Sequence, residues 1–304
     1  MNIFIIGNGF DIAHGLPTKY SHFHDYLLSR YPSAARYDGR LPESIIDNHG
    51  EERFNIEELV GYITRIINEY AADDWADLEL CLGDDVFDSF ISDLDIVDMD
   101  ASDKETMMAI HRNESLSSDI RKAFSRLKTL FCEWVNCSLS NFKYDSIQKS
   151  DIAEVLADGN AFLSFNYTMT LEKAYGVSNV CHIHGMVGES ENEIFFGHGD
   201  DDEYHESLAS FGADTNLNFL KRELRKDTQR AMARHRKFFD SIKNVKTIHS
   251  FGFSFAEVDM TYIEAIAQKA SGAVWYLNKH DDNNADIREK LTRLGFTVIV
   301  DKRW

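Results

Sequence analysis

Met1-Asn2-Ile3-Phe4-Ile5-Ile6-Gly7-Asn8-Gly9-Phe10-Asp11-Ile12-Ala13-His14-Gly15-Leu16-Pro17-Thr18 opens the chain, and its reading decides the fold. The apolar run at residues 3–6 has the texture of a strand buried on both faces, and Gly-Asn-Gly cuts it off. A strand that ends in closely spaced glycines lets the backbone turn sharply and approach a ligand. Nucleotide phosphates are commonly met in this way at the edge of a parallel sheet. The spacing is Gly-x-Gly with no third glycine three residues on, so the dinucleotide fingerprint is incomplete.

Outward from this stretch, short apolar runs at 161–165, 180–183, 194–196, 245–251, 273–277 and 296–300 alternate with helical stretches. The helical stretches fall near 171–175, 217–242, 256–269 and 282–294. Such alternation predicts a doubly wound, mostly parallel α/β sheet of Rossmann-like type, with helices on both faces. Ser21 reads as the N-cap of a helix running to about Arg30, and polar, turn-rich sequence follows from 31 to 53. Ile56, Leu59, Val60, Ile63, Ile66 and Ile67 recur at helical spacing, 75–82 has helical character, and 104–139 predicts a long helical region. The sequence therefore predicts a core of 1–30 plus 151–304, with a helical insertion at 40–150 after the first βα unit.

Bulk properties narrow the class. The 304 residues are 43% hydrophobic and 12% aromatic with three prolines, which are globular values. No apolar run nears the roughly 20 residues needed to cross a bilayer. No basic region precedes the first apolar stretch, so a signal peptide is not expected. Cys81, Cys132, Cys137 and Cys181 include no C-x-x-C pair, and reduced thiols in the cytoplasm fit best. A net charge of −19 argues against general affinity for nucleic acid or an anionic membrane. Yet ten Lys/Arg face three acids between Lys221 and Lys246, while 84–105 holds nine acids and one base. The basic stretch either lies against the acidic segment or solvent, or forms a local phosphate or partner site.

Four polar and glycine motifs sit where predicted strands end: Gly7-Asn8-Gly9-Phe10-Asp11, Ser164-Phe165-Asn166-Tyr167-Thr168, His182-Ile183-His184-Gly185, and Gly252-Phe253-Ser254-Phe255 with Asp259 beyond. Open parallel sheets bind ligands beyond the carboxyl ends of their strands, so the four converge if the fold is right.

This combination resembles the SIR2-like family of NAD-handling proteins, and more closely the AbiH-type proteins linked to bacterial abortive phage infection. Gly7, Gly9, Gly15 and Pro17 match the sirtuin Gly-Ala-Gly-x-Ser…Gly-Ile-Pro opening in register, with Leu16 for isoleucine. Asn166 matches the family's asparagine after a central strand, His184-Gly185 its His-Gly pair, and Gly252-Phe253-Ser254 its later Gly-x-Ser. The AbiH-type likeness adds Asn8, Asp11, Tyr20, Trp75 with Glu79, Thr170-Leu171-Glu172, Gly197-His198-Gly199 and Asp259. The zinc-module cysteines of protein deacylases are absent, so lysine deacylation is not expected. Asp11 replaces the sirtuin serine, where it would either take a ribose hydroxyl or cap the following helix.

The resemblance implies anti-phage defence through binding of NAD+ as substrate and its hydrolysis to nicotinamide and ADP-ribose. Asn166, His184 and Asp11 are the expected catalytic residues. Asn166 would position the ribose, and His184 would act as the base that activates water. Gly7, Asn8, Gly9, Phe10, Gly15, Pro17, Tyr167, Gly185, Gly252, Ser254 and Asp259 are the expected dinucleotide-binding residues. Here the backbone after Gly7 would hold the diphosphate, and Asp259 would sit near the adenosine. Asn166 also reads as a turn residue, and His184 as a hydrogen-bonded structural histidine. Two other classes remain: a nucleotide-sensing or partner-binding module without turnover, and a metal-dependent nuclease using His182, His184, His198, Asp200 and His205. The insertion is the expected place for contacts with a second copy or a defence partner.

Overall fold

The computed structural model describes residues 1–46, 48–50, 52–71, 73–83, 85–140, 142–157, 161–199, 211–278 and 285–301. The chain divides into two compact units: 1–19, 135–195 and 227–304 form the first, and 20–134 with 196–226 the second.

The first unit is built on a six-stranded, wholly parallel sheet. Its strands are β1 (Asn2–Ile6), β4 (Ala161–Ser164), β5 (Val180–His182), β6 (Thr247–Phe251), β7 (Val274–Asn278) and β8 (Thr297–Asp301). Their spatial order is β5-β4-β1-β6-β7-β8, the doubly wound arrangement in which the chain moves outward from β1 to one side and then returns to the other. Ile3, Phe4, Ile5 and Ile6 are buried on both faces, as the unbroken apolar run requires of a central parallel strand.

Helices cover both faces. Phe4, Ile6 and Phe162 pack with Phe10 of α1 (Asn8–Ala13), with Ile152 and Val155 of α8 (Ser150–Leu156), and with Leu171 of α9 (Thr170–Tyr175). On the opposite face Ile3, Ile5, Leu163 and Ile248 pack with Ile263 and Ile266 of α13 (Glu257–Ala270). Ala231 of α11 (Thr228–Arg234), Phe239 of α12 (Arg236–Ser241) and Leu291 of α14 (Ala285–Arg293) complete that layer. A row of rings crosses the sheet: Phe162 lies 5.4 Å from Phe4, Phe4 4.7 Å from His249, and His249 4.7 Å from Tyr276. Parallel register places these rings side by side on adjacent strands.

The second unit is mainly helical. It contains α2 (Tyr20–Arg30), α3 (Ile56–Tyr70), α4 (Leu78–Cys81), α5 (Asp85–Ser92), α6 (Asp103–Phe124) and α10 (Asp214–Leu224). α7 (Arg126–Ser138) follows α6 directly. Asn55 caps α3 by accepting from the N–H groups of Glu57 and Glu58, and Ser102 with Glu105 forms a reciprocal capping box on α6. Phe23, Phe131 and Trp134 form an aromatic centre, with Phe131 stacked on Phe196 at 3.9 Å.

Several local expectations are corrected. Ser21 lies inside α2, which starts at Tyr20, rather than capping it. Residues 194–196 are buried but pair with no strand. Their burial reflects fixed loop contacts, with Phe195 N–H donating to the His184 carbonyl. The polar segment 31–53 contains the start of a small antiparallel hairpin, β2 (Ser44–Ile46) and β3 (Glu52–Phe54). The 104–139 region breaks at Ser125, and 217–242 is three helices rather than one. Trp75 holds a left-handed φ of 55° after a 3-10 turn, so 75–82 is helical only from Leu78 to Cys81. Ile96, Met99, Met107 and Met108 are exposed in and beside the acidic segment. No helix among the described residues is long and apolar enough to cross a membrane.

Candidate functional site

The reversal of strand order falls between β1 and β6, so the loops after these strands flank the crevice where open α/β sheets take ligands. Here the two loops touch backbone to backbone. A Cβ on Gly7 would stand 2.3 Å from the Gly252 carbonyl oxygen, and one on Gly9 2.6 Å from the Gly252 Cα. Gly252 in turn adopts a φ of +61°, with Gly9 against it. Gly7 N–H donates to the Phe251 carbonyl, Gly9 N–H to that of Gly252 and Phe10 N–H to that of Gly7. The glycines thus meet a packing need, and these three N–H groups, expected to hold a diphosphate, are engaged within the protein. Phe10 is fully buried against Phe251, and Asn8, exposed, donates to the Thr18 carbonyl at 2.8 Å. Gly15 (φ 76°) ends α1 and is exposed, with Pro17 half-buried beyond it.

Asp11 does not cap the helix, because it lies inside α1, whose N-cap is Gly7. It has no exposed surface and accepts from the Thr168 hydroxyl at 2.6 Å and the Thr170 hydroxyl at 2.7 Å, tying α1 to the loop after β4. Burial pushes its pKa up to about 6, against the opposing pull of both threonines, the Asn166 amide and His182. Between those elements lies Asn166, whose Nδ2 donates to the Gly7 carbonyl at 3.1 Å and whose N–H donates to Ser164 Oγ at 3.2 Å. Its Oδ1 is buried and has no hydrogen-bond partner among the described residues. The Asn166 carbonyl receives His182 Nδ1 at 3.0 Å, and His182 Nε2 meets Glu172 Oε1 of α9 at 2.8 Å.

His184, two residues past the end of β5, is 4% exposed. Its Nε2 lies 3.2 Å from Asp259 Oδ1 on α13, close enough for an ion pair but misaligned for a hydrogen bond. Asp259, expected near an adenosine, therefore stands beside the imidazole. Phe165 meets His184 edge-on at 5.2 Å, and Tyr262 and Tyr167 lie at 5.8 and 6.4 Å. Gly185 has a φ of +86°, and a Cβ there would strike the Glu193 carbonyl at 2.3 Å. The loop that carries it is fastened from α11: Arg230 donates to the Asn192 carbonyl, while Arg234 donates to that of Glu193 and pairs with Glu189. Asn136 receives the Gly188 N–H and donates to the Glu189 carbonyl.

The expected site residues thus gather into two groups at one sheet edge. Gly7, Gly9, Gly252, Asp11 and Asn166 form the first, and His184, Gly185, Tyr167 and Asp259 the second. Phe165, which meets His184, and Phe253, which follows Gly252, pack with tilted rings 4.4 Å apart. Ser254 is exposed and joins neither by a described contact. Of the expected metal ligands, His182 is engaged as above, His198 Nε2 meets the Lys221 carbonyl in the second unit, and Asp200 and His205 lie outside the described residues. Among the described residues no group of three or more His, Cys, Asp or Glu is placed to hold a metal.

The family model for bacteriophage abortive infection AbiH matches residues 3–279. The chain belongs to the AbiH family. No curated protein sequence matches it. Several residues of the AbiH-type likeness belong to two polar networks, one in each unit. Asp11, Thr170 and Glu172 belong to the first. In the second, Glu79 grips Lys226 Nζ at 2.9 and 3.0 Å and accepts the Gly197 N–H at 3.1 Å. Gly197 allows this because a Cβ there would overlap the Leu224 carbonyl at 1.9 Å. Trp75 donates to Asn68 Oδ1, and Tyr20 packs on Phe131 and Phe196. Thr168, Lys226 and Arg234 escaped sequence reasoning as functional partners, and His182 was read there only as a metal ligand. Only Thr168 and His182 carried a signal, lying within the two motifs that end β4 and β5.

Proposed function

We propose that this AbiH-family protein acts in abortive infection by binding NAD+ at the carboxyl edge of its sheet and hydrolysing it. The reading rests on Asn166 Oδ1, a buried acceptor with no partner among the described residues, at a strand end beside the reversal of strand order. A buried polar atom left unpaired costs free energy that function has to justify, and a ribose hydroxyl is a donor suited to it. In the reaction the C1′–N bond breaks with its electron pair passing to the nicotinamide nitrogen. Water oxygen then bonds C1′, giving nicotinamide, ADP-ribose and one proton. His184 accepts that proton, and Asp259 beside it stabilises the imidazolium formed. The apolar rings of Phe165, Tyr167 and Tyr262 around His184 support exclusion of bulk water.

The experiment is incubation of purified protein with NAD+ and chromatographic measurement of nicotinamide. Wild type is expected to release it, with Asn166→Ala and His184→Ala each slower by about 10²–10⁴-fold. Unchanged rates in both variants, or no release alongside no calorimetric binding of NAD+, would overturn the proposal. A second reading, nucleotide sensing without turnover, is favoured by the engagement of the Gly7, Gly9 and Phe10 N–H groups within the protein. Binding without nicotinamide release would select it.

A further inference from the structure

We propose that His182 is a positioning residue of this site, a buried imidazolium that fixes Asn166 by donating from both ring nitrogens at once. The inference rests on the reading above that Asn166 meets the ligand. It starts from the two partners of the ring. Nδ1 lies 3.0 Å from the main-chain carbonyl of Asn166, and Nε2 lies 2.8 Å from Glu172 Oε1. A carbonyl oxygen and an ionised carboxylate both accept and neither donates, so a neutral imidazole, with one N–H, satisfies only one of them. The doubly protonated ring satisfies both, and Glu172 balances its charge.

The surroundings agree. Burial would lower the pKa of His182, but the Glu172 hydrogen bond and charge, the Asn166 carbonyl and the Glu189 charge outweigh it and hold the group above its usual range. Asp11 on α1, Glu172 on α9, Glu189 in the loop after β5, and His235 between α11 and α12 are the titratable groups that act on it. Of these only His235 opposes the charge, and burial, with Arg234, His182 and His184, brings its own pKa down to about 4, so it stays neutral.

The result is an asparagine tied at every group but one. Its N–H reaches Ser164 Oγ, its carbonyl receives His182, its Nδ2 reaches the Gly7 carbonyl, and Oδ1 alone is left over. Loss of the His182 proton removes one of the two ring bonds and frees either the Asn166 carbonyl or Glu172. Occupancy of the competent asparagine geometry therefore falls as pH rises through the raised pKa of His182.

Nuclear magnetic resonance of ¹⁵N-labelled protein tests this without reference to turnover. Both His182 ring nitrogens are expected to carry protons at pH 6.5, and the Asn166 side-chain amide signals are expected to titrate in step with the ring. Glu172→Gln keeps an acceptor but removes the charge, and is expected to move both titrations down by about one pH unit or more. The high-pH limb of NAD+ hydrolysis, or of NAD+ binding, should move with them. A neutral His182 ring at pH 6.5 in wild type overturns the proposal even if the variant does not fold. So does an Asn166 amide that ignores the titration, or a variant that melts earlier with its pH limb unmoved. Absence of NAD+ binding and turnover sinks the functional reading instead, and leaves the resonance outcomes to decide the role of His182.

Discussion

At Asp11 a carboxylate is sealed from water with two threonine hydroxyls as its partners, and its pKa rises from 3.8 to about 6. A raised carboxyl pKa means that the folded state holds its proton more tightly than the unfolded one. Its contribution to stability is then complete below pH 3.8 and lost as pH rises through about 6. Asp11→Asn removes this titration while keeping the shape. The variant should therefore gain on wild type by about 2 kcal/mol between pH 4.5 and 7.5, read from urea melts at the two values. A difference that stays constant with pH would show that Asp11 keeps an ordinary pKa. Little of this was legible beforehand. The sequence offered a helix cap or a ribose contact for Asp11, because its partners lie 157 and 159 residues away and only the sheet brings them near. The positions of Asn166 and His184 were legible, since each follows an apolar run that forms a strand, but their division between two groups was not.

Among the elements, the contact between the β1 and β6 loops is decided by the absence of side chains. Gly9 lies inside α1, where alanine is ordinarily better by about 1 kcal/mol. The new methyl would sit 2.6 Å from a backbone carbon of Gly252, which has no rotamer by which to yield. Overpacking of this kind costs about 1–3 kcal/mol, so Gly9→Ala is expected to be a net destabilisation in thermal melts. A variant that melts at or above wild type would refute the close contact. For the His184 loop the expectation is local. Arg234 has 30% of its side chain exposed, and its pairs with Glu189 and Glu193 are partly screened. Arg234→Ala should shift global stability by less than about 1 kcal/mol while speeding hydrogen exchange across 184–193, and unchanged exchange there would count against the clamp. Apolar runs revealed all five later strands of the six-stranded sheet, but not the hairpin strands β2 and β3. The sixth run, at 194–196, misled because a buried loop and a buried strand share the same apolar composition. Residues 217–242 broke into three helices where the backbone of Arg225 and Lys226 pairs with that of His198, a long-range demand that periodicity does not carry.

On the scale of the whole molecule, the parallel α/β class of the sheet follows from alternation of strands and helices and was legible. The composition of the second unit was not, since 196–226 joins 20–134 through contacts that no local pattern announces. Lys226 is the clearest of these, with its side chain 1% exposed against Glu79. Lys226→Met leaves a carboxylate without its counter-charge and should cost about 3–5 kcal/mol in urea melts, part of which Glu79→Leu in the same chain should recover. A single variant within 0.5 kcal/mol of wild type would show that the pair carries no weight.

Centrality of the first strand has a consequence for synthesis. β1 leaves the ribosome before the other five strands of its sheet, yet its two neighbours begin at residues 161 and 247. At about 5–20 residues per second, β1 waits roughly 10–50 s for its second flank. Nor can the loop around Gly7 settle until Gly252 has been translated. Nascent fragments shorter than this lack the seat on which Asn166 is held, so a chain cut short in translation is expected to be inert. For a member of the bacteriophage abortive infection AbiH family, an interrupted message then yields no working copy.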